Sequence, residues 1–226
     1  MIRKDLEDII GYHFKDSALL ELALTHSSYG NEHFAGRGVS NERLEFLGDA
    51  VLELCSSQFL YERFPLEQEG ILTRKRAGMV CEPALAYCAR ELNLGSFLLL
   101  GKGEEAGGGR NRDSILSDAL EAVLGAIYLD SGLSCARDFV YGHIMNDMER
   151  KTLFYDSKTI LQEMVQKDGE NLLSYHIISE TGPGHDKVFE AEVHLGEKKI
   201  GEGSGHTKKA AEQQAAYQAI LKLRGE

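Results

Sequence analysis

The sequence has little of what several common kinds of protein are built from. Of its four cysteines, Cys55, Cys81, Cys88 and Cys135, no two form a C-x-x-C pair, and no histidines cluster beside them, which excludes the usual zinc frameworks. Cys81 and Cys88 lie in a helical stretch and are expected to be plain core residues. No apolar run approaches the roughly 20 residues needed to cross a bilayer. The opening Met1-Ile2-Arg3-Lys4-Asp5-Leu6-Glu7-Asp8 is too charged for a secretory signal. The expectation is a reduced, soluble, cytoplasmic chain with no membrane partner.

Positive charge is also scarce. Lysine and arginine total 25 against 36 aspartates and glutamates, a net of −11. Residues 156–226 hold nine basic and twelve acidic residues, and residues 1–155 carry a net of −8. Neither part is a basic sponge, so any nucleic-acid contact must come from local clusters. Nucleotide sites are missing too. Gly101-Lys102-Gly103 has the wrong spacing from Gly95 for a phosphate loop, and Gly107-Gly108-Gly109 precedes helix rather than a βαβ unit. No nucleotide cofactor is expected; this segment is read as a flexible polar connector, with Arg110 and Arg112 open either to phosphate or to neighbouring acids.

What the chain does have is acid at helical spacing. In Asn41-Glu42-Arg43-Leu44-Glu45-Phe46-Leu47-Gly48-Asp49-Ala50-Val51-Leu52-Glu53-Leu54, the residues Leu44, Leu47, Val51 and Leu54 fall on one side. Glu42, Glu45 and Asp49 gather opposite them, within an arc of roughly 60°. Such a trio also marks the wet face of an ordinary amphipathic helix. The second segment alters the balance. Across Ile115–Leu129 only Asp118 and Glu121 are charged, so the helix is apolar nearly all round and buried. Carboxylates are almost never buried unless paired or bound to metal. Two of them at i and i+3, facing an acidic trio, suit a hard divalent cation.

From Lys4 to about Arg150 the periodicity is helical throughout, with breaks near Thr25, over residues 30–39 and near Pro83. Period-two alternation first appears at Phe189, Ala191, Val193 and Leu195, with partner strands near 174–181 and 198–203 and a final helix from about Thr207 to Leu223. Phe46 lies among the acids rather than the leucines, a position that suits contact with a second chain or simply enclosure by protein.

Asn41 to Asp49, the segment Asp113 to Ala122, and Gly101 to Arg112 together resemble ribonuclease III, the double-stranded-RNA endonuclease family. The run Gly203-Ser204-Gly205-His206-Thr207-Lys208-Lys209-Ala210-Ala211-Glu212 resembles its double-stranded-RNA-binding module. The resemblance covers the whole chain. It implies an all-α endonuclease domain over residues 1–150, followed by a small α+β (α-β-β-β-α) RNA-binding domain over 155–225. It further implies Mg²⁺, with Mn²⁺ as a substitute, held by Glu45, Asp49, Asp118 and Glu121. Asp49 and Glu121 would be catalytic, with Glu42 and Glu69 as supporting acids. Water would attack phosphorus in line, leaving staggered 5′-phosphate and 3′-hydroxyl ends. Gln162, Glu163, His185, Lys208 and Lys209 would touch duplex RNA, and Phe46 would sit in a homodimer interface. Roles in rRNA, mRNA and structured-RNA processing follow from the family. The alternative is a non-catalytic duplex-RNA-binding or chaperone protein, its acids serving only structure. His26 is expected to be a hydrogen-bonded structural histidine, and Ser27 stands where the family often carries arginine.

Overall fold

A computed structural model describes residues 2–34, 38–147, 151, 153, 156–166, 172–182, 187–205 and 207–225. The chain divides into two units, Met1–Asp147 and Met148–Glu226. The expected junction at residues 148–155 falls largely outside the described residues.

The first unit is built on one buried helix. Its helices are α1 (Ile2–Ile10), α2 (Ser17–Ala23), α3 (Ser27–His33), α4 (Glu42–Arg63), α5 (Glu69–Val80), α6 (Glu82–Glu91), α7 (Lys102–Ala106), α8 (Asp113–Ser131) and α9 (Leu133–Phe139), which runs into one π-helical turn, Val140–Ile144. Helix α8 is the buried one: Leu116, Ala119, Leu120 and residues 122–127 have almost no exposed surface, as its apolar circumference demands. Local chemistry sets the other boundaries. The Asp16 side chain accepts from Ala18 N–H to cap α2, and Pro83 sits in the first turn of α6, where its missing N–H costs nothing. Asp130 accepts from the Tyr12 hydroxyl and from the N–H groups of Lys15 and Asp16, tying the N-terminal segment to the end of α8. Burial alone would raise the Asp130 pKa; these hydrogen bonds outweigh it and hold the carboxyl below its ordinary value.

Helices α4 and α8 cross with their backbones almost touching. A Cβ on Gly48 would stand 1.8 Å from the Glu121 carbonyl oxygen, and one on Gly125 would stand 2.3 Å from that of Leu44. Only hydrogen fits at either place. The crossing lays Leu44 and Gly48 of α4 against Gly125 and Glu121 in the middle of α8.

Several expectations need correction here. Leu54 is 53 % exposed; the buried stripe of α4 is Leu44, Gly48, Val51, Leu52, Cys55, Ser56 and Leu60. Cys88 is core, but Cys81 is only half-buried, at the break between α5 and α6, where its thiol meets the Gly78 carbonyl. The segment 101–112 is not a loose connector. It contains α7 and a 3₁₀ turn, Gly109–Asn111, held by Arg110, which donates to the Gly95 and Leu98 carbonyls at 2.9 and 2.8 Å and pairs with Glu105. Arg112 pairs with Glu104. Both arginines are therefore engaged internally.

The second unit comprises α10 (Ser157–Gln166), β1 (Leu173–Thr181), β2 (Val188–Leu195), β3 (Lys198–Gly205) and α11 (Lys208–Arg224). The strands form an antiparallel sheet in the order β1-β2-β3. Ala191 and Val193 face the helices and are fully buried, whereas Glu192 and His194 point the other way, Glu192 pairing with both Lys199 and His194. Gly201 and Gly203 on β3 let α11 lie directly on the sheet; a Cβ at Gly203 would stand 2.3 Å from Ala215 N. Alanines 211, 215, 216 and 219 fill that contact with no exposed surface.

Candidate functional site

The α4–α8 crossing brings Glu42, Glu45 and Asp49 of the first helix to Asp118 and Glu121 of the second. Asp118 and Glu121 are half-buried rather than sealed, because they lie at the mouth of the crossing; Glu45 is also half-buried, and Glu42 and Asp49 are exposed. Their charges act on one another. Burial, then Asp49, Glu45, Asp118 and Glu53, push the Glu121 pKa up to about 8. Burial, then Asp118, Glu42 and Asp49, raise that of Glu45. Burial raises Asp118 too, against the pull of a Ser117 hydrogen bond and the nearby His26. This is the signature of like charges enclosed together.

Among the described residues, no lysine or arginine pairs with Glu45, Asp49, Asp118 or Glu121. As the side chains stand, no three described His, Cys, Asp or Glu groups are spaced to enclose an ion. The carboxylates are within reach of each other's charge without sharing a point of coordination. Glu42 accepts from the Ser40 hydroxyl at 3.0 Å. His26 caps α3, its Nδ1 accepting from Ser28 N–H, which is a structural role.

Glu69 is not brought to this cluster within the chain. It heads α5, exposed, accepts from the Thr73 hydroxyl at 2.8 Å, and lines a groove of about 610 Å³ with Ser57, Tyr61, Phe64 and Arg76. That groove lies toward the far end of α4 because α5 packs there. Phe46 is 80 % exposed beside the acids, and Leu54, Tyr61 and Leu66 are exposed further along α4 and the turn after it.

In the second unit Gln162 and Glu163 are exposed on α10, and Lys208 and Lys209 open α11. The Thr207 hydroxyl accepts from Ala210 N–H at 3.1 Å, so that helix start is formed and positive. His185 lies outside the described residues. Changing both lysines to alanine is expected to weaken duplex-RNA binding about tenfold and to flatten its dependence on salt by roughly one to two phosphate contacts. A filter-binding series from low to high salt reads both, and an unchanged slope would take RNA away from this helix.

Sequence reasoning missed the glycine crossing and the Glu53–Arg76 pair beside it. Gly48 was visible only as a member of the acidic segment, and Gly125 as one small residue in a helix of small residues.

Comparisons with known proteins match both units of the chain. Residues 16–148 match the family described as Ribonuclease-III-like, and residues 157–223 match the double-stranded RNA binding motif. The chain is 48 % identical over 222 residues to Ribonuclease 3 of Bacillus licheniformis, covering 97 % of this chain and 89 % of that one. It is 48 % identical over 225 residues to Ribonuclease 3 of Streptococcus pneumoniae strain R6, covering 97 % of each. The solved nuclease domain of ribonuclease III from Campylobacter jejuni superposes with a TM-score of 0.59 at 44 % identity, over 63 % of this chain and 96 % of that one. A helical unit with an acidic helix crossing, followed by a three-stranded module with a lysine-headed helix, places this chain in the ribonuclease III family.

Proposed function

We propose that this member of the ribonuclease III family, a double-strand-specific endoribonuclease, cuts by magnesium-dependent hydrolysis at the α4–α8 crossing, with Mn²⁺ as a substitute. The observation that carries the reading is the α4–α8 crossing itself, which packs carboxylates of both helices together with no described lysine or arginine on Glu45, Asp49, Asp118 or Glu121, so that burial and the neighbouring acids push the Glu121 pKa up to about 8. Such an arrangement is costly for a folded protein unless something positive enters it. The donor chemistry fits a hard divalent ion: every group is a carboxylate, and none is satisfied by a described lysine or arginine. Glu45, Asp49, Asp118 and Glu121 would hold the ion. When bound, it supplies a Lewis acid at the phosphoryl oxygens and lowers the pKa of the attacking water.

The chain's own residues do the rest. Asp49 and Glu121, on the two sides of the crossing, would hold the ion and accept hydrogen bonds from the attacking water, while Glu42, which accepts from the Ser40 hydroxyl, adds negative potential that favours the cation. The products would be staggered 5′-phosphate and 3′-hydroxyl ends. Lys208, Lys209, Gln162 and Glu163, with His185, would grip the duplex and raise its effective concentration at the nuclease unit. The exposed stripe of Phe46, Leu54, Tyr61 and Leu66 would pair two copies, so that two sites address one duplex and Glu69 faces the interface. The Campylobacter jejuni nuclease domain is described by a region involved in dimer formation, which supports that assembly. No helix among the described residues is long and apolar enough to cross a membrane, and a cytoplasmic site of action on rRNA and mRNA precursors is part of the same reading.

The test is one gel. Long perfect duplex RNA should be reduced to short duplexes with Mg²⁺ and remain intact in EDTA, while single-stranded RNA of the same sequence survives. Cutting in EDTA, or of single strands alone, would overturn the reading.

A further inference from the structure

The acid that follows Asp49 by one helical turn is treated differently from those before it. Glu53 is held by Arg76 of α5, with Nε 2.8 Å from its Oε2, and the same guanidinium donates to the Ser57 hydroxyl at 2.7 Å. Ser57 in turn donates to the Glu53 carbonyl, so the pair is fixed from both ends. Both side chains are only about a third exposed. Glu53 is close enough to the crossing to act on Glu121. It is thus a sixth carboxylate at the edge of the crossing, and the one acid there with an arginine on it among the described residues.

We propose that Arg76 is a positioning residue that withholds Glu53 from the cation site and so sets how much divalent ion the nuclease requires. The inference rests on the functional reading above and extends it to a residue outside the acidic set. Physically, Arg76 does two things. It cancels the charge of Glu53, so the field at the crossing comes from the carboxylates of α4 and α8 nearer to it. It also ties the middle of α4 to α5 and holds the Glu53 carboxylate on that contact. A neutral side chain at position 76 would leave Glu53 uncompensated and the site more negative. A neutral side chain at position 53 would leave Arg76 uncompensated and the site less negative.

The two substitutions therefore move ion affinity in opposite directions, which loss of packing alone does not do. The experiment titrates Mg²⁺ into RNA-free full-length protein by calorimetry and follows the Mg²⁺-induced rise of the thermal midpoint. The Mg²⁺ concentration for half-maximal duplex cutting is measured beside them. Arg76→Met is expected to lower the half-saturating concentration roughly threefold, the order expected from one partly screened charge beside the site. Glu53→Gln should raise it by a similar factor. The double variant should return close to the wild-type value, and Arg76→Lys, which keeps the charge, should stay near it. Half-saturation unmoved in both single variants, or moved the same way in both, would overturn the inference even if cutting slows. Absence of any Mg²⁺ binding or Mg²⁺-dependent cutting by the wild type would overturn the functional reading first, and this inference with it.

Discussion

Glu121→Gln is expected to abolish Mg²⁺-dependent cutting, by a factor of at least about 10³, while leaving duplex-RNA binding intact. The change removes one ligand oxygen and keeps the shape of the side chain, so the hold on the ion is lost and the RNA grip of the second unit is not. It also has a consequence that no purely structural acid would show. In the folded metal-free protein the Glu121 carboxyl keeps its proton up to about pH 8, against an ordinary 4.5. Between those values the Glu121 site binds more protons folded than unfolded, so its contribution to wild-type stability falls as pH rises through this window and is level on either side. Glutamine has no proton to lose. The variant should therefore be more stable than wild type in EDTA, with a gap that opens from about pH 5 and is complete above about pH 8. Allowing for the part of the side chain that water still reaches, the gap is about 2 kcal/mol, or roughly 4–8 °C in midpoint. Adding Mg²⁺ should reverse the order, because the ion stabilises only the chain that binds it. Thermal melts at several pH values, with and without Mg²⁺, check all of this; a variant that cuts normally or is less stable in EDTA at pH 8 contradicts it.

The second large effect concerns the glycines. Alanine in place of glycine inside a helix ordinarily stabilises by about 0.5–1 kcal/mol. At Gly48 the sign is expected to reverse. The new methyl group would overlap the Glu121 carbonyl, which is backbone and cannot rotate away, so the two helices must separate. The expected cost is about 3 kcal/mol or more, with loss of cutting even where the chain still folds, since Glu45 and Asp49 move away from Asp118 and Glu121. Gly125→Ala should behave alike through Leu44. Gly78 in α5 is the control: nothing lies within 4 Å of its added Cβ, so Gly78→Ala should be neutral or stabilising. Urea denaturation of the three variants measures the contrast, and a Gly48→Ala protein as stable as Gly78→Ala would mean that the helices do not cross as described.

How much of this was legible in the chain follows from what each feature depends on. Glu42, Glu45 and Asp49 could be grouped because helical spacing is a local property, and Asp118 and Glu121 stood out because so little else in their helix is charged. The sheet of the second unit was legible from alternation at residues 189–195, and the lysine-headed helix from its glycine-rich approach. The position of Glu69 was not, because it depends on where α5 packs along α4. Nor was Leu54, whose spacing matches the buried leucines but whose angle carries it off the stripe. Arg110 stood open in the sequence between phosphate and neighbouring acids; Glu105 takes it, together with the Gly95 and Leu98 carbonyls, which no sequence displays. A glycine at a helix crossing is written with the same letter as one in open water, so Gly48 and Gly125 became informative only with coordinates.

The central claim is that carboxylates from two crossing helices hold a divalent ion. Crystals of the protein soaked in Mn²⁺ test it most directly, since the anomalous scattering of manganese marks each ion without reference to activity. The account predicts a strong peak within coordination distance of oxygens from Glu45, Asp49, Asp118 and Glu121, absent from crystals of Glu121→Gln. Manganese bound elsewhere with the crossing empty, or an unchanged peak in the variant, would contradict it.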